Sequence, residues 1–147
     1  MYRILLVDDE KMELEALKNY IDWKTLGIDH VDTAKNGKAA YELVLDRQPD
    51  IVITDIQMPV MDGIDLAKKI YEWNRDIKII FLTGYDSFDY AKRAIRLGVK
   101  DYLLKPTNYD DMKKLIAKVS REIVERRAYL QNAENLRVQY EKSLHGT

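Results

Sequence analysis

Acidic residues directly follow two short apolar runs of the sequence. Ile51 to Thr54 is apolar or β-branched, without the alternation of a half-exposed strand, and Asp55 comes next. An earlier run, Ile4 to Val7, is followed by Asp8 and Asp9. Such continuous runs are typical of strands that are buried on both faces of a parallel sheet. A carboxylate at the end of a buried strand is a candidate nucleophile, and Asp55 is predicted to accept a phosphoryl group.

Two further runs end in polar residues that would complement these acids. Thr83 follows Ile77 to Leu82, and Lys105 follows Tyr102 to Leu104. The carboxyl ends of parallel strands lie at one edge of the sheet, which is where open α/β folds bind ligands. A lysine charge and a hydroxyl donor at that edge would suit phosphoryl transfer, because this reaction depends on positioning and on charge neutralisation.

The acids also predict a metal ion. Three carboxylates in one pocket repel one another unless a cation neutralises them. Asp8, Asp9 and Asp55 offer only oxygen ligands, and the residues around them include neither histidine nor cysteine. Such a set selects a hard ion that keeps several waters and leaves room for phosphate oxygens. We therefore expect Mg²⁺ as the cofactor.

The segments between these runs change to the apolar spacing of helices. Strand and helix alternate five times along the chain, which predicts an α/β fold with a parallel sheet, helices on both faces and right-handed crossovers. A weaker strand completes the set near His30 to Ala34. The predicted helices cover Lys11 to Tyr20, Lys38 to Leu45, Ile64 to Trp73, a segment that ends at Gly98, and the chain from Asn108 almost to its end.

Length and composition fit one soluble domain with a short appendage. The chain has 147 residues, and its 24 Lys and Arg against 25 Asp and Glu favour neither a nucleic acid nor a membrane surface as partner. It has no cysteine, which excludes disulfides and thiolate metal sites. It has no signal-peptide pattern, and no stretch approaches the roughly 20 apolar residues of a membrane helix. We expect a cytoplasmic protein that does not bind membranes.

Four motifs carry a resemblance to a known family. VDDE, DIQMPVMDG, FLTGYDSF and DYLLKP occur in the order found in the receiver domain of two-component response regulators, which the chain resembles from residue 3 to about residue 120. The resemblance implies a flavodoxin-like (βα)5 three-layer sandwich with strand order 2-1-3-4-5. It also implies a receiver domain over residues 1–120 that is phosphorylated by a sensor histidine kinase. Such a protein is a switch that catalyses only its own phosphorylation and dephosphorylation, and so is not an enzyme in the usual sense.

The resemblance assigns a role to each residue of the site. Asp55 corresponds to the phosphoacceptor, and Asp8 and Asp9 to the acidic pair that binds Mg²⁺ with it. Further implied roles are metal binding by the backbone carbonyl of Gln57, phosphoryl stabilisation by Thr83 and Lys105, conformational switching by Thr83 and Tyr102, tuning of phosphoryl lifetime by Gln57 and Tyr85, and a cis peptide bond before Pro106.

The end of the chain, residues 121–147, is predicted to be a helical extension. Apolar residues with 3-4 spacing favour a two-stranded coiled coil that continues the last helix, and hence a homodimer. Two arginines in this seam weaken the interpretation, and a solvated single helix is the alternative. The seam residues are Ile116, Val119, Ile123, Arg126, Leu130, Ala133, Arg137, Tyr140 and Leu144.

The connection DWKTLGI after the first helix further resembles regulators that carry an AraC-type DNA-binding domain. After residue 108 no helix pair could serve as a helix-turn-helix, so this chain is expected to reach DNA only through a domain outside it. The output of such a regulator is the control of transcription.

Two functional interpretations remain open from the sequence. The first is a phosphorylation-driven switch, and the second is a constitutive dimerisation module of the same fold whose acidic site does not turn over. The acids Asp8 and Asp9 could merely favour the start of the following helix, although this would not explain Asp55. An enzyme of another class is disfavoured, since no glycine-rich phosphate loop follows the first strand.

Overall fold

Five parallel strands form a single sheet in the order β2-β1-β3-β4-β5. The computed structural model describes residues 2–84, 88–99 and 101–145, apart from the side chains of residues 88, 90 and 91. The fold is therefore the predicted flavodoxin-like arrangement, with the predicted strand order. The strands are β1 Tyr2–Val7, β2 Ile28–Ala34, β3 Ile51–Asp55, β4 Lys78–Thr83 and β5 Asp101–Leu104.

Helices follow every strand, and they form the two outer layers of the sandwich. None of the helices described is both long and apolar enough to cross a lipid bilayer. The connection DWKTLGI contains a short 3₁₀ helix, Trp23–Leu26, whose tryptophan is buried. The α-helices are α1 Lys11–Tyr20, α2 Gly37–Arg47, α3 Gly63–Trp73, α4 Phe88–Leu97 and α5 Tyr109–Leu144.

The core lies on both faces of the sheet, as the continuous apolar runs predict. Every residue of β3 is buried, so neither face of this strand meets solvent. Side chains alternate along a strand, and in β1 Leu5 packs with α2 and α3 on one face, whereas Ile4 and Leu6 pack with α1 and α5 on the other. Burial on both faces explains why these strands read as unbroken apolar runs.

Helix α5 has two parts with different surroundings. Its first part packs against the sheet, where Met112, Ile116, Val119 and Ile123 are buried. The predicted coiled-coil seam is therefore wrong at its first three positions, because these residues fill the core of their own domain. Beyond residue 127 the helix is exposed except at Val138, which is half-buried. Periodicity alone does not distinguish a core-facing stripe from a seam between two chains.

Ion pairs fix the point at which α5 leaves the sheet. Arg127 pairs with Asp50, just before β3, and its guanidinium lies 5.4 Å from the ring centroid of Tyr2 at the start of β1. Lys78 Nζ, at the start of β4, is 3.2 Å from a carboxylate oxygen of Glu122. All three anchor points are at the amino ends of strands. The exposed part of α5 therefore projects from the edge of the sheet opposite to the edge that carries Asp55.

Candidate functional site

The predicted acids meet at the carboxyl edge of the sheet. Asp8 follows β1, and Asp55 is the last residue of β3, so the hydrogen-bonded neighbours β1 and β3 bring them together. Asp8, Asp9 and Asp55 each offer one carboxylate oxygen, and these three oxygens lie within 4.8 Å of one another. Side chains that are far apart in sequence thus converge because three-dimensional pairing aligns the strand ends.

This donor set fits a hard divalent cation. The group contains only carboxylate oxygens, which suit Mg²⁺ better than a softer metal, and the three oxygens are close enough together to hold one ion. The site would remain open for waters or phosphate oxygens, because Asp9 is exposed whereas Asp8 is buried. The backbone N–H of Gln57 acts to lower the pKa of Asp55 against the larger effect of burial. Metal binding by the carbonyl of Gln57 stays a prediction.

Lys105 bridges the acids from the loop after β5. Its Nζ is 3.1 Å from Asp55 Oδ2 and 3.2 Å from Asp8 Oδ2, so it donates to both carboxylates. The same ammonium lies 3.5 Å from Glu13 Oε2 in the first part of α1. Glu13 was not among the predicted site residues, because its contact with Lys105 joins two elements that are far apart in the sequence. The Lys105-Pro106 peptide bond is cis, as the resemblance implied.

The charges of the site are shifted from their ordinary states in water. Burial raises the pKa of Asp8 from 3.8 to about 6, although the Glu10 N–H and the Lys105 ammonium both act to lower it. Burial likewise raises the pKa of Asp55 against the opposing effect of Lys105. Burial alone would lower the pKa of Lys105, but its hydrogen bond to Asp55 and the charges of Asp55 and Asp8 raise it. The lysine therefore stays charged between acids that are costly to ionise.

The two predicted switch residues differ in their exposure to solvent. Thr83, the last residue of β4, is buried, and its hydroxyl donates to the carbonyl of Gly84 at 3.4 Å. Tyr102 on β5 is 52% exposed, so its ring faces solvent and not the core. Tyr85, the predicted tuning residue, lies outside the described residues.

Gly63 has a packing role that the sequence prediction missed. Asp62 is the N-cap of α3, and its side chain accepts a hydrogen bond from the N–H of Asp65 at 2.8 Å. Gly63 is the first residue of the helix, and its N–H donates to the carbonyl of Ile56 at 2.7 Å. A Cβ at Gly63 would lie 2.3 Å from the carbonyl oxygen of Asp55. The absence of a side chain therefore allows α3 to begin against the end of β3.

Val60 is strained within the same loop. It is fully exposed and has a φ of 69°, a left-handed conformation that is rare for a β-branched residue. Asparagine adopts this conformation more readily, and the exposed valine makes no core contact that the change would remove. We expect Val60→Asn to raise the free energy of unfolding by about 1 kcal/mol, which urea denaturation would measure. If Val60→Asn instead lowered the free energy of unfolding by a similar amount, the loop would not hold this conformation in solution.

Comparison with known proteins finds a family model and relatives that match most of the chain. The family model described as "Response regulator receiver domain" matches residues 4–117. The chain is 42% identical over 131 residues to the uncharacterized transcriptional regulatory protein YesN of Bacillus subtilis, a match covering 86% of this chain and 36% of YesN. It is 36% identical to the transcriptional regulatory protein HptR of Staphylococcus aureus, and this match covers 92% of this chain and 52% of HptR. The chain thus spans between about a third and a half of these curated relatives.

Solved structures agree with this placement. The receiver domain of AraT, a response regulator from Geobacillus stearothermophilus, is 38% identical and superposes with a TM-score of 0.80 over 86% of this chain and 98% of that chain. A two-component transcriptional regulator AraC from Clostridium phytofermentans is 32% identical, with a TM-score of 0.79; the match covers 88% of this chain and 99% of that chain. The likeness therefore extends over nearly the whole of both solved chains.

Proposed function

The chain belongs to the response regulator receiver domain family, and we propose that it is a phosphorylation-driven switch whose phosphoacceptor is Asp55. The observation that carries the proposal is the convergence of Asp55 with two further acids and the Lys105 ammonium at one sheet edge. A sensor histidine kinase would donate the phosphoryl group. The names of the relatives support transcriptional control as the output, exerted through a part of the regulator outside this chain.

The residues of the pocket would divide the chemistry between them. A carboxylate oxygen of Asp55 attacks the phosphorus, the bond from phosphorus to the donor nitrogen breaks, and an acyl phosphate forms. Asp8, Asp9 and Asp55 would hold Mg²⁺, which neutralises charge on the phosphoryl oxygens when it is bound. Lys105 would exchange a carboxylate partner for a phosphoryl oxygen. Positioning and charge neutralisation are the main requirements of this transfer.

Phosphorylation would then act through Thr83 and Tyr102. The hydroxyl of Thr83 would leave the carbonyl of Gly84 and donate to a phosphoryl oxygen, which would vacate space at the end of β4. The exposed ring of Tyr102 could then turn inward. Such a change biases a two-state surface, because the new charge interacts differently with the two arrangements. Tyr85 and Gln57 would tune how fast water attacks the acyl phosphate.

Intact mass spectrometry tests the phosphoacceptor. After incubation with acetyl phosphate and Mg²⁺, the chain is expected to gain the mass of one phosphoryl group. Asp55→Asn should gain none, because the amide is not a nucleophile, and chelation of Mg²⁺ should prevent the gain in the unaltered chain. If the unaltered chain takes up no phosphate, the alternative of a constitutive dimerisation module is favoured. Uptake that persists in Asp55→Asn would place the phosphoacceptor elsewhere.

We further propose that the exposed part of α5 pairs with a second copy of the chain. Four of its apolar side chains, Tyr129, Ala133, Leu136 and Tyr140, form one stripe, in which both Leu136 and Tyr140 are 66% exposed, whereas Leu130 and Leu144 lie on the predicted seam. At about 100° per residue, this stripe lies roughly a quarter turn around the helix from the stripe that packs on the sheet. The predicted seam would bury Arg126 and Arg137 against their own copies, whereas the rotated stripe contains no charge.

The ion pairs of Arg137 support the rotated stripe. Arg137 Nη1 is 2.6 Å from Glu141 Oε1, and its Nε is 3.1 Å from Glu134 Oε2 on the preceding turn. An arginine held by two acids of its own helix lies beside a seam more readily than within one. In heptad terms, Leu136 is then a d position and Arg137 the flanking e position.

Disulfide cross-linking distinguishes the two seams. The chain has no cysteine, so single-cysteine variants report one position each. We expect Leu136→Cys to form an intermolecular disulfide under mild oxidation more than tenfold faster than Arg137→Cys, because facing d positions of a parallel pair are within disulfide reach. Faster cross-linking of Arg137→Cys would support the originally predicted seam. Equal, slow cross-linking of both, as for Val138→Cys on the opposite side of the helix, would contradict pairing through α5.

A further inference from the structure

Three carboxylates of the described residues contact Lys105, and Glu13 is the least buried of them. Its Oε2 lies 3.5 Å from Lys105 Nζ, and its side chain is 43% exposed, against 12% for Asp55 and none for Asp8. Glu13 lies in the first part of α1 and, with Lys105, lines a groove of about 310 Å³ between this helix and the loop after β5. The ammonium is thus shared between two acids inside the pocket and one at its mouth.

The two inner acids can bind either Lys105 or a cation through the same oxygens. Asp8 and Asp55 belong to the oxygen set that fits a divalent cation, whereas Glu13 does not. When a cation binds, it competes with Lys105 for Asp8 and Asp55, and it also repels the ammonium. An ammonium carries three N–H donors and no acceptor, so leaving it without a partner in a partly buried place costs free energy. Glu13 remains available to Lys105 in both states.

We propose that Glu13 is a positioning residue that holds Lys105 at the mouth of the pocket while Mg²⁺ occupies the inner acids. The proposal rests on the proposed function, in which Mg²⁺ binds beside Asp55. Glu13 touches neither the metal nor the phosphoryl group and acts only through the lysine. By accepting Lys105, it lowers the cost of displacing the ammonium from Asp8, and it keeps the positive charge within reach of an incoming phosphoryl oxygen.

Magnesium affinity, measured by calorimetric titration of the purified chain with MgCl₂, tests this role. Glu13→Gln keeps the shape of the side chain and removes its charge. We expect it to weaken Mg²⁺ binding about two- to fivefold, the range of a partly exposed ion pair. Glu15→Gln is the matched control, because Glu15 is on the same helix and lies 3.9 Å from the exposed Lys11, away from the pocket. It should bind Mg²⁺ as the unaltered chain does.

A double-mutant cycle separates action through Lys105 from a general effect of charge. Lys105→Met removes the ammonium, and it is expected to bind Mg²⁺ more tightly because a competing cation has gone. Glu13→Gln should then change the affinity of this variant by less than about 1.5-fold, since it has no lysine to release. The same two- to fivefold loss in both backgrounds would overturn the proposal, as would no loss in Glu13→Gln alone.

The cycle has a second readout that needs no metal. In the presence of a chelator, urea unfolding of the single and double variants should show coupling between Glu13 and Lys105, and none between Glu15 and Lys105. Failure of the proposed function is distinguishable from failure of the proposal. If the unaltered chain does not bind Mg²⁺, both fail; if it binds Mg²⁺ and Asp9→Asn does not, while Glu13→Gln binds normally, only the role of Glu13 is refuted.

Discussion

Replacement of Gly63 by alanine is expected to lower the free energy of unfolding by about 3 kcal/mol and the rate of phosphate uptake on the order of a hundredfold. The added Cβ would lie 2.3 Å from the carbonyl oxygen of Asp55 and 3.0 Å from Cα of Ile56. Both atoms are backbone, so no side-chain rotation can relieve the contact. Either the end of β3 or the start of α3 must shift, and a shift of β3 would move the Asp55 carboxylate relative to Asp8 and Lys105.

Urea unfolding and a time course of intact mass with acetyl phosphate would measure the two effects. Gly98→Ala is a suitable control, because Gly98 has a φ of 99° and no atom of the described residues lies within 4 Å of its added Cβ. It should lose about 1 kcal/mol to backbone strain and take up phosphate at the normal rate. Normal phosphate uptake by Gly63→Ala would show that α3 can move away from β3 without disturbing the pocket.

Asp8→Asn is expected to make the metal-free chain more stable at neutral pH. Burial raises the pKa of Asp8 from 3.8 to about 6, so between these values the folded chain binds more protons than the unfolded chain. Stability due to this group is complete below pH 3.8 and is lost as the pH rises through about 6. The loss amounts to at most about 3 kcal/mol. The asparagine variant does not ionise, so it avoids this loss.

The stability of the two proteins should therefore diverge with pH. In a chelator, urea unfolding is expected to show a difference between Asp8→Asn and the unaltered chain that is about 2 to 3 kcal/mol larger at pH 7.5 than at pH 4. Adding Mg²⁺ should reverse the order, because the ion binds more tightly to, and so stabilises more, the chain whose Asp8 can ionise. Parallel pH curves in the chelator would show that Asp8 is not destabilised by its burial.

The sequence was sufficient to predict the residues that stand at strand ends. Asp8, Asp55, Thr83 and Lys105 follow apolar runs, and a parallel sheet carries such positions to one edge whatever the details of packing. The strand order came from the family resemblance and was correct. These features depend on local patterns and on chain connectivity, both of which a sequence contains.

Features that depend on distances between separate elements were missed. The contact of Glu13 with Lys105 requires the reach of two long side chains from α1 and the loop after β5. The role of Gly63 follows from how closely α3 approaches β3, which no turn pattern expresses. Ile123 was assigned to a seam between chains because a buried stripe has the same spacing whether a sheet or a second helix covers it.

The unbroken course of α5 has a mechanical consequence. The helix runs from Tyr109 to Leu144 without a glycine or proline. Arg127 makes the last ion pair of the helix with a residue next to the sheet. The free portion is therefore a stiff lever arm about 25 Å long at 1.5 Å per residue. A tilt of about 5° at its base would carry its tip about 2 Å sideways. Small displacements within the domain are thus magnified with distance, and no hinge absorbs them along the way.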